Sequence, residues 1–145
     1  MPTLERAIQI AVQAHTGQVD KAGRAYILHP LRVMFRLHTE AEQIAGVLHD
    51  VVEDSEWSLE ALAAEGFESE ILSALEALTK RPGESRIDAA HRAAANPLAR
   101  VVKLADNAEN MDLGRIPEPT EADFARLRQY EQVRAILLSA GDHGG

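Results

Sequence analysis

The chain has 145 residues, which is enough for one domain with a sizeable hydrophobic core. Apolar residues make up 46% of it, and this favours a globular fold over disorder. The absence of cysteine excludes a disulfide framework, a thiol nucleophile, an iron–sulfur cluster and a cysteine-ligated zinc site. A transition metal would therefore need histidine and carboxylate ligands, and the chain has 6 histidines and 23 acidic residues.

The formal net charge of −8 limits the partners that the chain could bind. It argues against a nucleic-acid partner, because proteins that bind nucleic acid by neutralising phosphates are usually basic. A small anionic substrate remains compatible if a metal ion and a few basic residues create a local positive site. No apolar run approaches the roughly 20 residues of a membrane span, and the first residues do not resemble a signal peptide. We expect a cytoplasmic protein without a membrane partner, and a homo-oligomer stays open.

Residue usage and hydrophobic spacing predict an all-α fold of seven or eight helices and no sheet. Alanine, leucine, glutamate and arginine dominate, and no stretch of six residues alternates cleanly between apolar and polar. In chain order, the predicted helices cover residues 3–15, a segment that begins at Pro30, and residues 40–52, 58–66, 68–80, 84–94, 96–112 and 120–140. We expect a single domain over residues 1–140 and a flexible tail over residues 141–145.

Local signals mark several of these helix ends. Ser58 is a suitable N-cap for a short helix that ends at Gly66. Asn96 precedes a proline and opens the next-to-last helix. Thr120 followed by Asp123 makes a start similar to a capping box for the last helix, after the prolines that interrupt the chain at 117 and 119.

His49 and Asp50 are the first candidates for chemistry, because both are ionisable and lie in an apolar run of a predicted helix. In a continuous helix His49 shares a face with Glu53, and Asp50 shares a face with Asp54. One imidazole beside three carboxylates is unfavourable unless a cation lies nearby. The pattern therefore predicts a divalent metal ion on His49 and Asp50, with Glu53 and Asp54 free to act on water. The alternative is a half-exposed helix end without a ligand.

Two further residues, His29 and Asp106, could join such a site. His29 precedes Pro30, which disfavours helical backbone at His29 and predicts a fixed position at the entry to the second helix. The alternative is an ordinary N-cap-like residue. Asp106 lies deep in an apolar helix, with Asn110 one turn further along the same face. A buried aspartate needs a partner, which could be a metal ion, an arginine or the N-terminus of another helix.

Several polar side chains could contact an anionic ligand. Lys21 and Arg24 lie in the glycine-containing loop before His29 and could meet phosphates, although a solvated loop explains them equally well. Arg126 and Tyr130 share a face of the last helix, where Tyr130 could instead pack into the core. The chain has no P-loop, no dinucleotide-binding glycine motif and no serine-hydrolase elbow.

The order of these motifs resembles a known family. The motifs are His29-Pro30, Leu48-His49-Asp50-Val51-Val52-Glu53-Asp54, Lys103-Leu104-Ala105-Asp106 followed by Asn110, and Arg126 with Tyr130 four residues later. Together with the opening Ala14-His15-Thr16-Gly17-Gln18, they resemble the HD superfamily, and within it the hydrolase domain of the RelA/SpoT group. The resemblance is greatest to the stand-alone small alarmone hydrolases and covers roughly residues 4 to 138.

The resemblance implies a fold, a cofactor, a substrate and a role for each motif. The fold is an all-α HD fold, and the reaction removes the 3′-pyrophosphate of guanosine tetra- or pentaphosphate in the stringent response. The implied ligands of one Mn²⁺ ion are His29, His49, Asp50 and Asp106. The residues implied to serve the attacking water are Glu53 and Asp54. The residues implied to contact the nucleotide are Lys21, Asn110, Arg126 and Tyr130.

Two other functions stay open from the sequence. The same metal chemistry could act on another phosphorylated nucleotide, such as an adenosine alarmone or NADPH, or the chain could be a non-catalytic sensor that binds a nucleotide. Glu53 and Asp54 favour an enzyme, because a pure binder has no need of them. Asp20 stands where the family usually has arginine. An aspartate neither stacks on a purine nor attracts phosphate, so we expect a guanine-over-adenine preference below about tenfold.

Overall fold

Every regular element in the computed structural model, which describes residues 1–112 and 118–143, is a helix. The helices are α1 (Leu4–His15), α2 (Leu28–Phe35), α3 (Glu40–Leu48), α4 (Val51–Asp54), α5 (Leu59–Glu65), α6 (Ser69–Leu78), α7 (Arg86–Ala94), α8 (Pro97–Asn110) and α9 (Glu121–His143). Within the described ranges there is no sheet, and a lone antiparallel bridge joins Val19 to Ala25. The prediction of an all-α fold is therefore confirmed.

The described residues form nine helices, one more than predicted, because the predicted third helix is split into α3 and α4. At the junction, the amide of His49 donates to the carbonyl of Gly46, three residues back. The imidazole Nδ1 of His49 donates to the same carbonyl at 2.6 Å. In a continuous helix this carbonyl would accept from the amide of Asp50. The prediction of one helix over residues 40–52 is therefore wrong at residues 49 and 50, where the side chain of His49 occupies the backbone acceptor.

The second helix also begins earlier than predicted. α2 starts at Leu28, so His29 lies in its first turn rather than before it. The amides of Leu28 and His29 donate to the carbonyls of Ala25 and Tyr26, at 3.2 and 2.9 Å, and this turn leads into the helix. Proline is tolerated in a first turn because the amides there have no partner within the helix. The helix itself therefore holds His29 in position.

Helix ends that depend on neighbouring residues lie where the sequence predicts them. The hydroxyl of Ser58 accepts from a backbone amide of α5, and that helix ends at Gly66 with a φ of 101°. The side chain of Asn96 caps α8 in the same way. The amide of Thr120 donates to the carboxylate of Asp123 at 2.8 Å, as the capping-box pattern predicts.

The last helix, α9, is longer than predicted. It continues to His143, beyond the expected end near residue 140, and only residues 144–145 of the predicted tail remain, which lie outside the described residues. Pro117, one of the two predicted chain breaks, also lies outside them. In the part of the chain that the structure describes, no helix combines the length and the apolar character needed to cross a bilayer.

Helix α3 lies at the centre of the hydrophobic core. This helix packs against α1, α2, α6 and α8, and its residues 44–48 are all buried. A second region joins α7 to α9, where Val133 and Leu137 pack against Ala90. The end of α3, the first turn of α2 and the middle of α8 therefore converge beside the main core.

Adjacent leucines on α9 allow a matched test of this packing. Leu137 is fully buried in the contact with α7, whereas Leu138 is 42% exposed. We expect Leu137→Ala to lower the free energy of unfolding by about 2–5 kcal/mol, because it leaves a cavity. Leu138→Ala should change it by less than about 0.5 kcal/mol. Urea denaturation of both variants measures the difference, and equal losses would contradict the packing of α9 on α7.

Candidate active site

The four residues predicted as metal ligands lie together at the meeting point of α2, α3 and α8. Candidate ligand atoms of His29, His49 and Asp50 all lie within 4.8 Å of one another. The distance from Asp50 Oδ2 is 3.0 Å to His49 Nε2 and 3.9 Å to His29 Nε2. Asp106 Oδ1 lies 2.8 Å from His29 Nε2 and 3.4 Å from His49 Nε2. Residues from three separate stretches of sequence thus surround one point.

The orientation of His49 fits a site for a cation. Its Nδ1 donates to the carbonyl of Gly46, so in the neutral imidazole the lone pair is on Nε2. This Nε2 is buried, and among the described residues it has no hydrogen-bond partner of acceptable geometry. Buried polar atoms are normally satisfied, and a divalent ion between imidazole nitrogens and carboxylate oxygens would satisfy this one. Two imidazoles and two carboxylates also suit a first-row divalent metal ion.

Neighbouring side chains hold the two aspartates of this cluster. The hydroxyl of Tyr26 donates to Asp50. Lys103 Nζ donates to Asp106 Oδ2 at 3.0 Å, and Asn110 Nδ2 donates to Asp106 Oδ1 at 3.2 Å. Burial opposes ionisation of Asp106, but the charge of Lys103 holds its pKa well below the usual range. Asp106 is thus kept as a carboxylate at neutral pH.

Glu53 and Asp54, the residues predicted to act on water, line the cavity next to this cluster. The split between α3 and α4 removes the continuous helix face from which they were predicted. One turn survives, since the amide of Asp54 donates to the carbonyl of Asp50 at 2.9 Å. Partial desolvation, followed by the charge of Asp50, raises the pKa of both Glu53 and Asp54. Raised carboxylate pKa values suit groups that accept and release protons.

All four residues predicted to contact a nucleotide line the same cavity of about 540 Å³, and they are Lys21, Asn110, Arg126 and Tyr130. Arg126 pairs with Asp123. The guanidinium of Arg86 lies over the ring of Tyr130, 4.8 Å from the ring centroid. One face of the Tyr130 ring therefore contacts another residue that lines the cavity. Arg24, the other cation of the loop, is not among the described residues that line the cavity.

The cavity is also lined by residues to which the sequence alone gave no role, namely Arg86, Lys103 and Tyr26. Lys103 could have been found, because it lies one turn before Asp106 on the same helix. Arg86 has no local signal, since the packing of α7 on α9 alone brings it to Tyr130. Partial desolvation and the nearby Arg126 lower the pKa of Lys21, which shows that several cations converge here. An acidic chain therefore still has a local site for an anion.

Asp20 lies at the cavity but also has a structural role that was not predicted from the sequence. Its Oδ1 accepts from the amides of Ala22 and Arg24, at 2.9 and 3.0 Å. Side chains of Asp and Asn commonly close turns in this way. Gly23, with a φ of 79°, completes the turn. An arginine at this position could not accept these bonds.

Several known proteins are similar to this chain in sequence. No family model matches the chain. It is 42% identical over 80 residues, 52% of its length, to a guanosine-3′,5′-bis(diphosphate) 3′-pyrophosphohydrolase of Borreliella burgdorferi, and covers 12% of that protein. A protein of the same name from Spiroplasma citri is 34% identical over 95% of the chain, which covers 20% of it. A GTP pyrophosphokinase of Streptomyces coelicolor is 36% identical over 92% of the chain, which covers 16% of it.

One solved structure shows the same fold, with a TM-score of 0.72 and 22% identity over 97% of this chain and 86% of the other. It is described with the words "a metazoan ortholog of SpoT hydrolyzes ppGpp". Over most of its length the chain is thus similar in sequence to one part of proteins that are named as 3′-pyrophosphohydrolases or GTP pyrophosphokinases. The resemblance inferred from the motifs is therefore confirmed. The chain spans a fifth or less of the length of the curated relatives cited above.

Metal binding can be tested without any substrate. We expect Mn²⁺ at about 100 times its Kd to stabilise the metal-free protein by about 2.7 kcal/mol, because the ion binds the folded state. For a chain of this size the unfolding temperature should rise by roughly 5–10 °C. Asp50→Asn should lose most of this rise. Asp88→Asn, on an exposed position of α7, should keep it. Equal responses of the two variants would contradict a site at Asp50.

Proposed function

We propose that the chain is a metal-dependent phosphohydrolase that removes the 3′-pyrophosphate of guanosine tetra- or pentaphosphate. The observation that carries the proposal is the grouping of His29, His49, Asp50 and Asp106 beside two further carboxylates in a cavity large enough for a nucleotide. Relatives of the chain are named either as hydrolases or as pyrophosphokinases. A histidine–aspartate cluster next to carboxylates of raised pKa suits the activation of water, and this favours hydrolysis.

The ligands proposed for the metal ion are His29, His49, Asp50 and Asp106. Mn²⁺ is the proposed ion, because mixed imidazole and carboxylate donors suit it. When bound, such an ion lowers the pKa of a coordinated water and polarises a phosphoryl oxygen. Lys103 and Asn110 keep Asp106 ionised and oriented through their contacts with its two oxygens.

Glu53 and Asp54 are proposed to accept the proton of the attacking water. Their raised pKa values leave them less acidic than ordinary carboxylates and therefore better proton acceptors. Water adds to the phosphorus that is bonded to the 3′-oxygen, and the bond between this phosphorus and the 3′-oxygen breaks. The 3′-oxygen is the leaving group and takes up a proton to become a hydroxyl, and the water oxygen is retained in the released pyrophosphate. Guanosine tetraphosphate then yields guanosine 5′-diphosphate.

The basic side of the cavity is proposed to hold the rest of the nucleotide. Lys21 and Arg126 supply charge for phosphates, and Asn110 and Tyr130 supply polar contacts at the same cavity. Arg86 adds a third cation next to Tyr130. The proposed partner is thus a small anionic nucleotide. A cytoplasmic location, the absence of a nucleic-acid partner and the oligomeric state stay predictions.

Turnover across a panel of nucleotides tests the function directly. The metal-free protein, supplemented with Mn²⁺ or with Mg²⁺, is incubated with guanosine tetraphosphate, its adenosine counterpart and NADPH, and the products are separated by ion-exchange chromatography. Release of pyrophosphate and guanosine 5′-diphosphate supports the proposal. Turnover of another nucleotide alone would favour a phosphohydrolase with the same metal chemistry and a different substrate. Saturable binding without products would favour the sensor.

The role of Glu53 can be separated from that of its neighbours on the chain. Glu53→Gln keeps the shape of the side chain but removes the proton acceptor, so we expect kcat to fall by about 10² or more with Mn²⁺ affinity retained. Glu56→Gln is the matched control, because Glu56 is exposed and is not among the described residues of the cavity. Its kcat should stay within about twofold of that of the wild type. Undiminished kcat in Glu53→Gln would remove Glu53 from the mechanism.

The turn at Asp20 suggests a substitution that changes charge without changing structure. Asparagine can accept the same two amide bonds, so Asp20→Asn should leave the loop intact. Removal of a negative charge near Lys21 should lower KM for guanosine tetraphosphate about two- to fivefold at low salt, and the gain should fade near 1 M salt. Asp88→Asn changes the net charge equally but lies outside the cavity. An equal fall in KM for both variants would show that only net charge matters.

A further inference from the structure

The side chain of Gln18 connects the loop after α1 to the end of α4. Its Nε2 donates to the carbonyl of Asp54 at 2.8 Å, across 36 residues of sequence. The same nitrogen lies 3.4 Å from the carbonyl of Ala14. Its Oε1 accepts from Nδ1 of His15 at 2.9 Å. All hydrogen-bonding atoms of this amide are thus used, although Gln18 is not among the described residues that line the cavity.

The carbonyl of Asp54 is a group that a short helix leaves without an internal partner. α4 has four residues, and the last carbonyls of any helix lack amides one turn further on. The hydroxyl of Ser55 donates to the carbonyl of Val51, and Gln18 satisfies that of Asp54. A single turn has little stability of its own, so contacts from outside determine where it lies. This turn carries both Glu53 and Asp54.

His15 determines which way the amide of Gln18 faces. Because Oε1 accepts from His15, the donor side of the amide is left for Asp54. His15 is only 2% exposed, and its ring lies 5.0 Å from the ring of Tyr26. Tyr26 in turn donates to Asp50. The same buried group of side chains therefore contacts both a predicted metal ligand and the turn that follows it.

We propose that Gln18 is a positioning residue that holds the carboxylates of Asp54 and Glu53 at the correct distance from the His–Asp cluster. It acts through the backbone of Asp54 and does not touch the substrate. The inference rests on the proposed hydrolase function. It predicts that loss of the Gln18 amide slows the chemical step and leaves the binding of metal and nucleotide almost unchanged.

The test compares Gln18→Met with Gln43→Met. Both variants keep the length of the side chain and remove an amide that donates to a backbone carbonyl. In the wild type, the amide of Gln43 donates to the carbonyl of Leu37 at 3.3 Å, in the loop before α3. For Gln18→Met we expect kcat for guanosine tetraphosphate to fall about 10- to 100-fold, since small misplacements of catalytic groups have effects of this order. KM and the Kd for Mn²⁺ should stay within about threefold of the wild-type values. Gln43→Met should match the wild type in all three.

Two further measurements distinguish positioning from a general loss of structure. Hydrogen exchange of residues 51–56 should accelerate in Gln18→Met and not in Gln43→Met, because only the first frees the end of α4. In an Asp54→Asn background, Gln18→Met should reduce kcat by less than about threefold, since residues that act as a unit are non-additive.

Several results would overturn the inference. An unchanged kcat, unchanged hydrogen exchange of residues 51–56, or a parallel weakening of Mn²⁺ binding would each remove Gln18 from this role. A full additional loss in the Asp54→Asn background would show that Gln18 acts elsewhere. A wild-type protein that hydrolyses no nucleotide of the panel would overturn the proposed function, and the positioning role with it. Wild-type turnover with normal kcat in Gln18→Met would overturn the positioning role alone.

Discussion

The contact between His29 and Asp106 joins side chains 77 residues apart and ties α2 to α8 at a buried point. A buried carboxylate must find partners or a cation, so this contact fixes which turn of each helix faces the site. α3 packs against both helices, and its end brings His49 within 3.4 Å of the same carboxylate. The packing of α2, α3 and α8 around one buried carboxylate is the arrangement on which the rest of the site is built.

The interruption between α3 and α4 is the local structure that makes the cluster usable. His49 takes the carbonyl of Gly46 with Nδ1 and thereby leaves Nε2 among the carboxylates. The same bond removes the acceptor that Asp50 would use in a continuous helix. Asp50 is released from the α3 register and can accept from Tyr26, while Glu53 and Asp54 lie on the following turn beside the cavity. The hydrogen bond from His49 to the carbonyl of Gly46 thus sets both the orientation of the His49 imidazole and the direction of α4.

Charge is divided within the cavity in a way that the net charge of −8 does not reveal. Acidic groups surround the cluster, where the charge of Lys103 offsets part of theirs. Lys21, Arg86 and Arg126 gather near Tyr130, with Asp123 paired to one of them. This separation of charge suits an anionic substrate that is cleaved at one end, next to a bound cation, while the basic side chains hold its other phosphates. It also explains how an acidic protein could bind an anionic nucleotide.

The sequence by itself determined the helical class and most helix ends, and it predicted a set of candidate site residues that lie together in the structure. Caps such as Ser58 and Asn96 were predictable because each bonds an amide three residues away. Only the tertiary structure decided the split at His49, the helical position of His29 and the turn-closing role of Asp20. It also decided the arrival of Arg86 at the cavity and the contact of Gln18 with the end of α4. The physical reason is that these features depend on side-chain bonds that displace backbone bonds, or on contacts between segments far apart in sequence. Helical periodicity relates residues three or four apart along the chain, so it contains no information about side-chain bonds of this kind or about contacts between distant segments.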